Sequence, residues 1–155
     1  MKKIATIVAL VSALSLTIIP ASFAQPGMRW RGSDGWGRGT PYSRLYNPRT
    51  VATIRGEVIR VDTITPMHGM GVGLHLVLRT ANRQEISVHL GPDWYLERQE
   101  IAIEPKDRIE VVGSRVTFAN TPTIIAAEVK KGNTTLVLRD KTGFPVWSGW
   151  RRRSF

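Results

Sequence analysis

The chain has 155 residues, no cysteine and a formal net charge of +10. That length supports one domain once a leader is removed, and the missing thiols exclude a disulfide framework or thiolate metal ligands. There is no G-x-S-x-G elbow, H-E-x-x-H pair, P-loop or dinucleotide fingerprint, so the sequence is expected to encode a protein that is not an enzyme.

The N-terminus has the three-part layout of a secretory signal. Lys2 and Lys3 supply positive charge, Ile4 to Pro20 are apolar, and Ser22-Phe23-Ala24 ends in small residues. Residues 1–24 are therefore expected to be a cleaved signal peptide, with a mature start at Gln25 and no stable membrane insertion afterwards. The expected destination is the periplasm of a Gram-negative bacterium, or secretion beyond it.

Residues 25–49 are rich in Gly, Arg, Ser and aromatics without apolar periodicity, and read as a flexible lead-in. From residue 50 to 140 the texture changes to short β-branched runs separated by turn residues, the pattern of an all-β domain. The first strand, Val51 to Ile64, alternates as Ala52, Ile54 and Val58, then changes phase to Ile59 and Val61. With Gly56 nearby, that change predicts a bulge or sharp bend, letting one long strand serve both halves of a barrel.

Leu74, Leu76 and Leu78 alternate in a second strand, and Ile86, Val88 and Leu90 in a third. The two make a hairpin whose register pairs Leu78 with Ile86, Leu76 with Val88 and Leu74 with Leu90. On the other face Arg79 then meets Glu85, a favourable charge pair, and His75 meets His89. Residues 91–99 break the strand pattern and read as a short helix or turn, Asp93 its candidate N-cap and Trp94, Tyr95 and Leu96 a plug for one barrel end. Arg108 to Phe118 is a fourth strand with a phase change at Val111-Val112, Thr123 to Val129 a fifth, and Thr135 to Arg139 a last run. Residues 141–155 form a basic Trp/Arg tail.

Three strands, a short helix or plug, then two more strands is the order of a five-stranded OB-type barrel. The stretch Gly56-Glu57-Val58, Ile86-Ser87-Val88, Trp94 and Asp107-Arg108-Ile109-Glu110-Val111-Val112-Gly113 resembles the bacterial periplasmic OB-fold family of small exported proteins. That resemblance implies the OB barrel and a non-catalytic, stress-associated binding module. The Met/His loop and basic ends depart from it.

The charge is uneven. Residues 25–50 hold five arginines against Asp34, and residues 141–155 hold Lys141 and three arginines against no acid. The span 51–140 balances eleven basic against eleven acidic residues. Arginine favours bidentate contact with phosphate, sulfate or carboxylate, and tryptophan suits half-wet interfaces. Arg29, Trp30, Arg31, Trp36, Trp147, Trp150, Arg151, Arg152 and Arg153 are therefore the candidate residues for docking an anionic polymer, nucleic acid or a protein partner. An alternative rests on Met67, His68, Met70, His75 and His89, which share one hairpin and its entry loop. Thioethers suit Cu(I) and imidazoles suit Cu(II) or Zn(II), so a periplasmic copper- or zinc-binding protein is the competing reading. No other cofactor is expected.

Overall fold

The computed structural model describes residues 33–148. The proposed signal segment and Arg29, Trp30, Arg31, Trp150, Arg151, Arg152 and Arg153 lie outside the described residues. Strands β1 (Val51–Ile64), β2 (Gly73–Arg79), β3 (Glu85–Pro92), β4 (Arg108–Phe118), β5 (Thr121–Lys131) and β6 (Thr134–Val137) form one sheet in the order β3-β2-β1-β4-β5-β6. A short parallel pairing of β3 with β5, through Ser87–Thr123, Val88–Ile124 and His89–Ile125, closes the first five strands into a barrel. The short helix α1 (Asp93–Leu96) falls between β3 and β4. This is the OB-type arrangement, with β6 as an extra strand beside β5.

Burial follows the alternation of the sequence. Val58, Leu76, Leu78, Ile86, Val88, Ile109, Val111, Ile125 and Val129 are each at most 4% exposed. At roughly 1.5–3 kcal/mol for each large aliphatic side chain removed from water, this interior drives the closure. The phase change in β1 is a bulge: Val58 pairs with Leu78 but Arg60 pairs with Val77, leaving Ile59 extra. Gly56 is needed at that bend, because a Cβ there would meet the Arg79 carbonyl and lie 2.9 Å from Leu78 Cγ. A second irregularity falls between Val112 and Gly113 in the β4–β5 pairing, beside the predicted phase change.

The β2–β3 hairpin holds the predicted register from Arg79–Glu85 through His75–His89. It then departs from it. Leu74 pairs with Gly91 rather than Leu90, so Leu90 is the extra residue of a bulge. Leu90 stays 1% exposed, and Gly91 makes room for a neighbouring indole, since a Cβ there would lie 2.6 Å from Trp147 Cη2. At α1 the cap position is taken by Pro92, and Asp93 instead accepts a hydrogen bond from the Trp94 amide at 2.6 Å. Tyr95 and Leu96 are buried. The final run ends at Val137, because Leu138 and Arg139 both donate their amides to the Ala127 carbonyl and the chain turns away.

Candidate functional site

The barrel's outer face carries the histidines. His75 and His89 are direct cross-strand partners, their ring centroids 5.7 Å apart and nearly perpendicular. Both are already engaged. His75 Nδ1 donates to Asp62 Oδ1 at 2.5 Å, and its Nε2 lies 2.5 Å from Ser87 Oγ. Burial raises the Asp62 pKa, but the His75 hydrogen bond and charge, with Arg60 at 2.8 Å, outweigh this and hold the carboxyl below its usual value. His89 is 1% exposed; its Nδ1 shares a 3.0 Å hydrogen bond with the Tyr42 hydroxyl, and its ring meets Phe118 edge-on at 5.0 Å. Burial, helped by the nearby positive charges of His75 and Arg139, pushes its pKa down to about 4.

The remaining candidate ligands are dispersed in role. Met67 and Met70 pack against the core, and His68 is exposed. Among the described residues, no three His, Cys, Asp or Glu side chains are grouped to hold a metal ion. The chain Asp62–His75–Ser87 has the order of an acyl-transfer relay. Ser87, however, sits mid-strand, paired on one side with Val77 and on the other with Thr123, so its strand offers no free backbone amides for an oxyanion.

What dries this face is the segment read as a flexible lead-in. Trp36, Tyr42 and Tyr46 are 1%, 2% and 8% exposed. Trp36 Nε1 donates to the Gly71 carbonyl at 2.9 Å, its ring seated where Gly73 has no side chain. From the other end of the chain, Trp147 is fully buried and donates through Nε1 to the Trp36 carbonyl at 3.0 Å. Trp36 and Trp147 thus form an aromatic clasp inside the molecule, and the expectation that their rings meet a partner is corrected. Sequence reasoning assigned them to the tails because no apolar periodicity surrounds them; glycine pockets on distant strands make their burial.

The clasp includes a residue that the sequence reading passed over. Arg139 is 5% exposed, donates from Nη1 to the carbonyls of Leu90 and Ala126, and lies 4.9 Å from the Trp147 ring. Burial opposes its charge, partly offset by Tyr42 and Tyr46. The clasp also draws the two chain ends together: the Arg38 amide donates to Ser148 Oγ at 3.2 Å.

At the far end of β2, a groove of about 670 Å³ crosses the strands. Arg55, Arg79, Arg108 and Lys130 line it, with Glu57 and Glu110 between them and Gly56 at its floor. Register explains the pattern. Glu57 pairs with Arg79 on one side and Arg108 on the other, while Glu110 pairs with Arg55 and Lys130. The body's overall neutrality hid this local excess, and only the pairing of four distant strands reveals it.

Together these features define a small OB-type β-barrel that offers charged surfaces and a dry, clasped histidine face. The chain belongs to the MamS/MamX magnetosome protein family, whose sequence model matches residues 50–136. A comparison with curated proteins finds no match. The resemblance to the periplasmic OB-fold family therefore holds for the barrel and not for the family: of the residues that carry it, Val88 and Ile109 fill the core and Gly56 and Gly113 sit where a Cβ has no room. No helix among the described residues is long and apolar enough to cross a membrane.

Proposed function

We propose that this protein is an exported, non-catalytic module of the magnetosome that docks an anionic partner surface with its two basic chain ends. The observation that carries the reading is the clasp. Trp147 and Ser148 bond to Trp36 and Arg38, so the last described residues lie beside residues 36–38 near the start of the described segment. Arg29, Trp30 and Arg31 precede Ser33 by four residues or fewer, and Trp150, Arg151, Arg152 and Arg153 follow Ser148 by five or fewer. Two stretches that are separate in sequence are thereby within a few residues' reach of one spot, and their charges act on one partner.

Each contact with a phosphate-like group releases a counterion, so affinity for a polyanion falls steeply with salt. The test measures binding of the mature chain to polyphosphate across a salt series, against an Arg151→Gln, Arg152→Gln, Arg153→Gln variant. The variant is expected to bind more weakly and with a shallower salt slope. Binding that ignores salt, or that the triple substitution leaves unchanged, overturns the reading.

A further inference from the structure

We propose that the groove at the Arg79 end of β2 is a second docking site, distinct from the chain ends, and that it receives an acidic polyproline-like segment of a protein partner. The groove is built from two rows of side chains laid across the strands. The first row reads Arg79, Glu57, Arg108 on β2, β1 and β4. The second reads Arg55, Glu110, Lys130 on β1, β4 and β5. Each row places a carboxylate between two cations.

The rows differ in how far they are satisfied internally. In the second, Glu110 holds Arg55 at 2.6 Å and Lys130 at 3.8 Å. Lys130 also has Glu128 at 3.7 Å. In the first, neither Glu57 nor Arg108 makes an ion pair among the described residues, and Arg79 turns to Glu85 at the rim, at 3.1 Å. That rim pair is solvent-exposed, and such pairs contribute little, so a ligand displaces it at small cost. The receiving cations are therefore Arg79 and Arg108.

Their spacing selects the ligand. Two strand intervals separate their backbones, about 9.5 Å in all, a spacing their side chains keep when both extend away from the sheet. The Glu57 carboxylate occupies the middle, where it repels a compact dianion such as a single phosphate group. Two single negative charges held roughly 9–10 Å apart meet both guanidinium groups and stay clear of Glu57. A polyproline II segment with an acid at every third residue presents its carboxylates on one edge about 9.3 Å apart. Its fixed φ angles also lower the entropy lost on docking. The Gly56 backbone lies along the groove with no side chain to obstruct the segment, while Ile109 beside it turns its side chain into the core.

The test uses the full mature chain and a fluorescent (Glu-Pro-Pro)6 peptide, read by anisotropy. The peptide is expected to bind, an Arg79→Gln, Arg108→Gln variant to bind about tenfold more weakly or worse, and Glu57→Gln to bind more tightly. The triple arginine variant of the C-terminal end is expected to leave peptide affinity within about twofold, which separates this site from the chain ends. Melting curves confirm that each variant folds; should the double variant fail to fold, Glu57→Gln decides alone. No binding at millimolar peptide, equal binding of a (Gln-Pro-Pro)6 control, or weaker binding by Glu57→Gln overturns the proposal. So does competition by pyrophosphate or polyphosphate at concentrations comparable with the peptide.

Discussion

The two ends of strand β2 carry similar chemistry and meet opposite fates. At the Gly73 end the outer face bears His75, His89 and Asp62; Tyr42, beside the aromatic clasp, seals His89, while Asp62 stays 40% exposed at the edge. At the Arg79 end the same face bears alternating arginines and glutamates and stays open as a groove. Polar residues under cover must satisfy one another, and here they do so through the Asp62–His75–Ser87 chain and the Tyr42–His89 bond. Polar residues left in water can exchange partners. The difference shows that on this barrel the cover over a polar cluster, more than its composition, separates a structural network from a binding surface.

The largest expected effect comes from breaking the clasp. Trp147 is fully buried beneath Arg139 and over Gly91, so Trp147→Ala should cost about 3–5 kcal/mol in denaturant unfolding. A loss under about 1 kcal/mol would show that the clasp is not packed as described.

A smaller effect follows from acid. The His89 pKa falls from 6.5 to about 4 on folding. Between those values the unfolded chain binds a proton that the folded chain refuses, so stability rises with pH across that window and is lost as pH falls through it. The full term is on the order of 3 kcal/mol. Melting curves from pH 7 to pH 4 should show this decline, and a His89→Asn variant should show a flatter one. Equal slopes in the two proteins would place His89 in water.

The smallest expected effect is none at all, and it concerns metal. Both His75 nitrogens are bonded and His89 Nδ1 is held by Tyr42, so an ion must break the Asp62, Ser87 or Tyr42 contacts to gain two imidazoles. Titration of the mature protein with Cu(I), Cu(II) and Zn(II) is expected to show no binding tighter than micromolar. Tight binding abolished by a His75→Ala, His89→Ala substitution would restore the copper or zinc reading for the Met67, His68, Met70, His75 and His89 cluster.

Much of the barrel was legible because strand alternation is local. Leu76, Leu78, Ile86 and Val88 announce their faces by a period of two, and Arg79–Glu85 with His75–His89 selects the register. The bulge in β1 was legible for the same reason, as a change of phase beside Gly56. Leu90 slipped out of register because the cause lies elsewhere: Trp147, more than fifty residues on, packs against Gly91.

Local pattern thus specifies the all-β class, the order and approximate place of the strands, most of the hairpin register and the concentration of arginine at the two ends. Each of these is written in neighbouring residues, where side-chain periodicity and composition act directly. Long-range pairing is what makes Trp36 and Trp147 core residues, buries His89, and sets Arg79 and Arg108 on either side of Glu57. Those facts depend on which distant strands become neighbours, and closure of the barrel sets that through the summed burial of its interior rather than through any single stretch of chain.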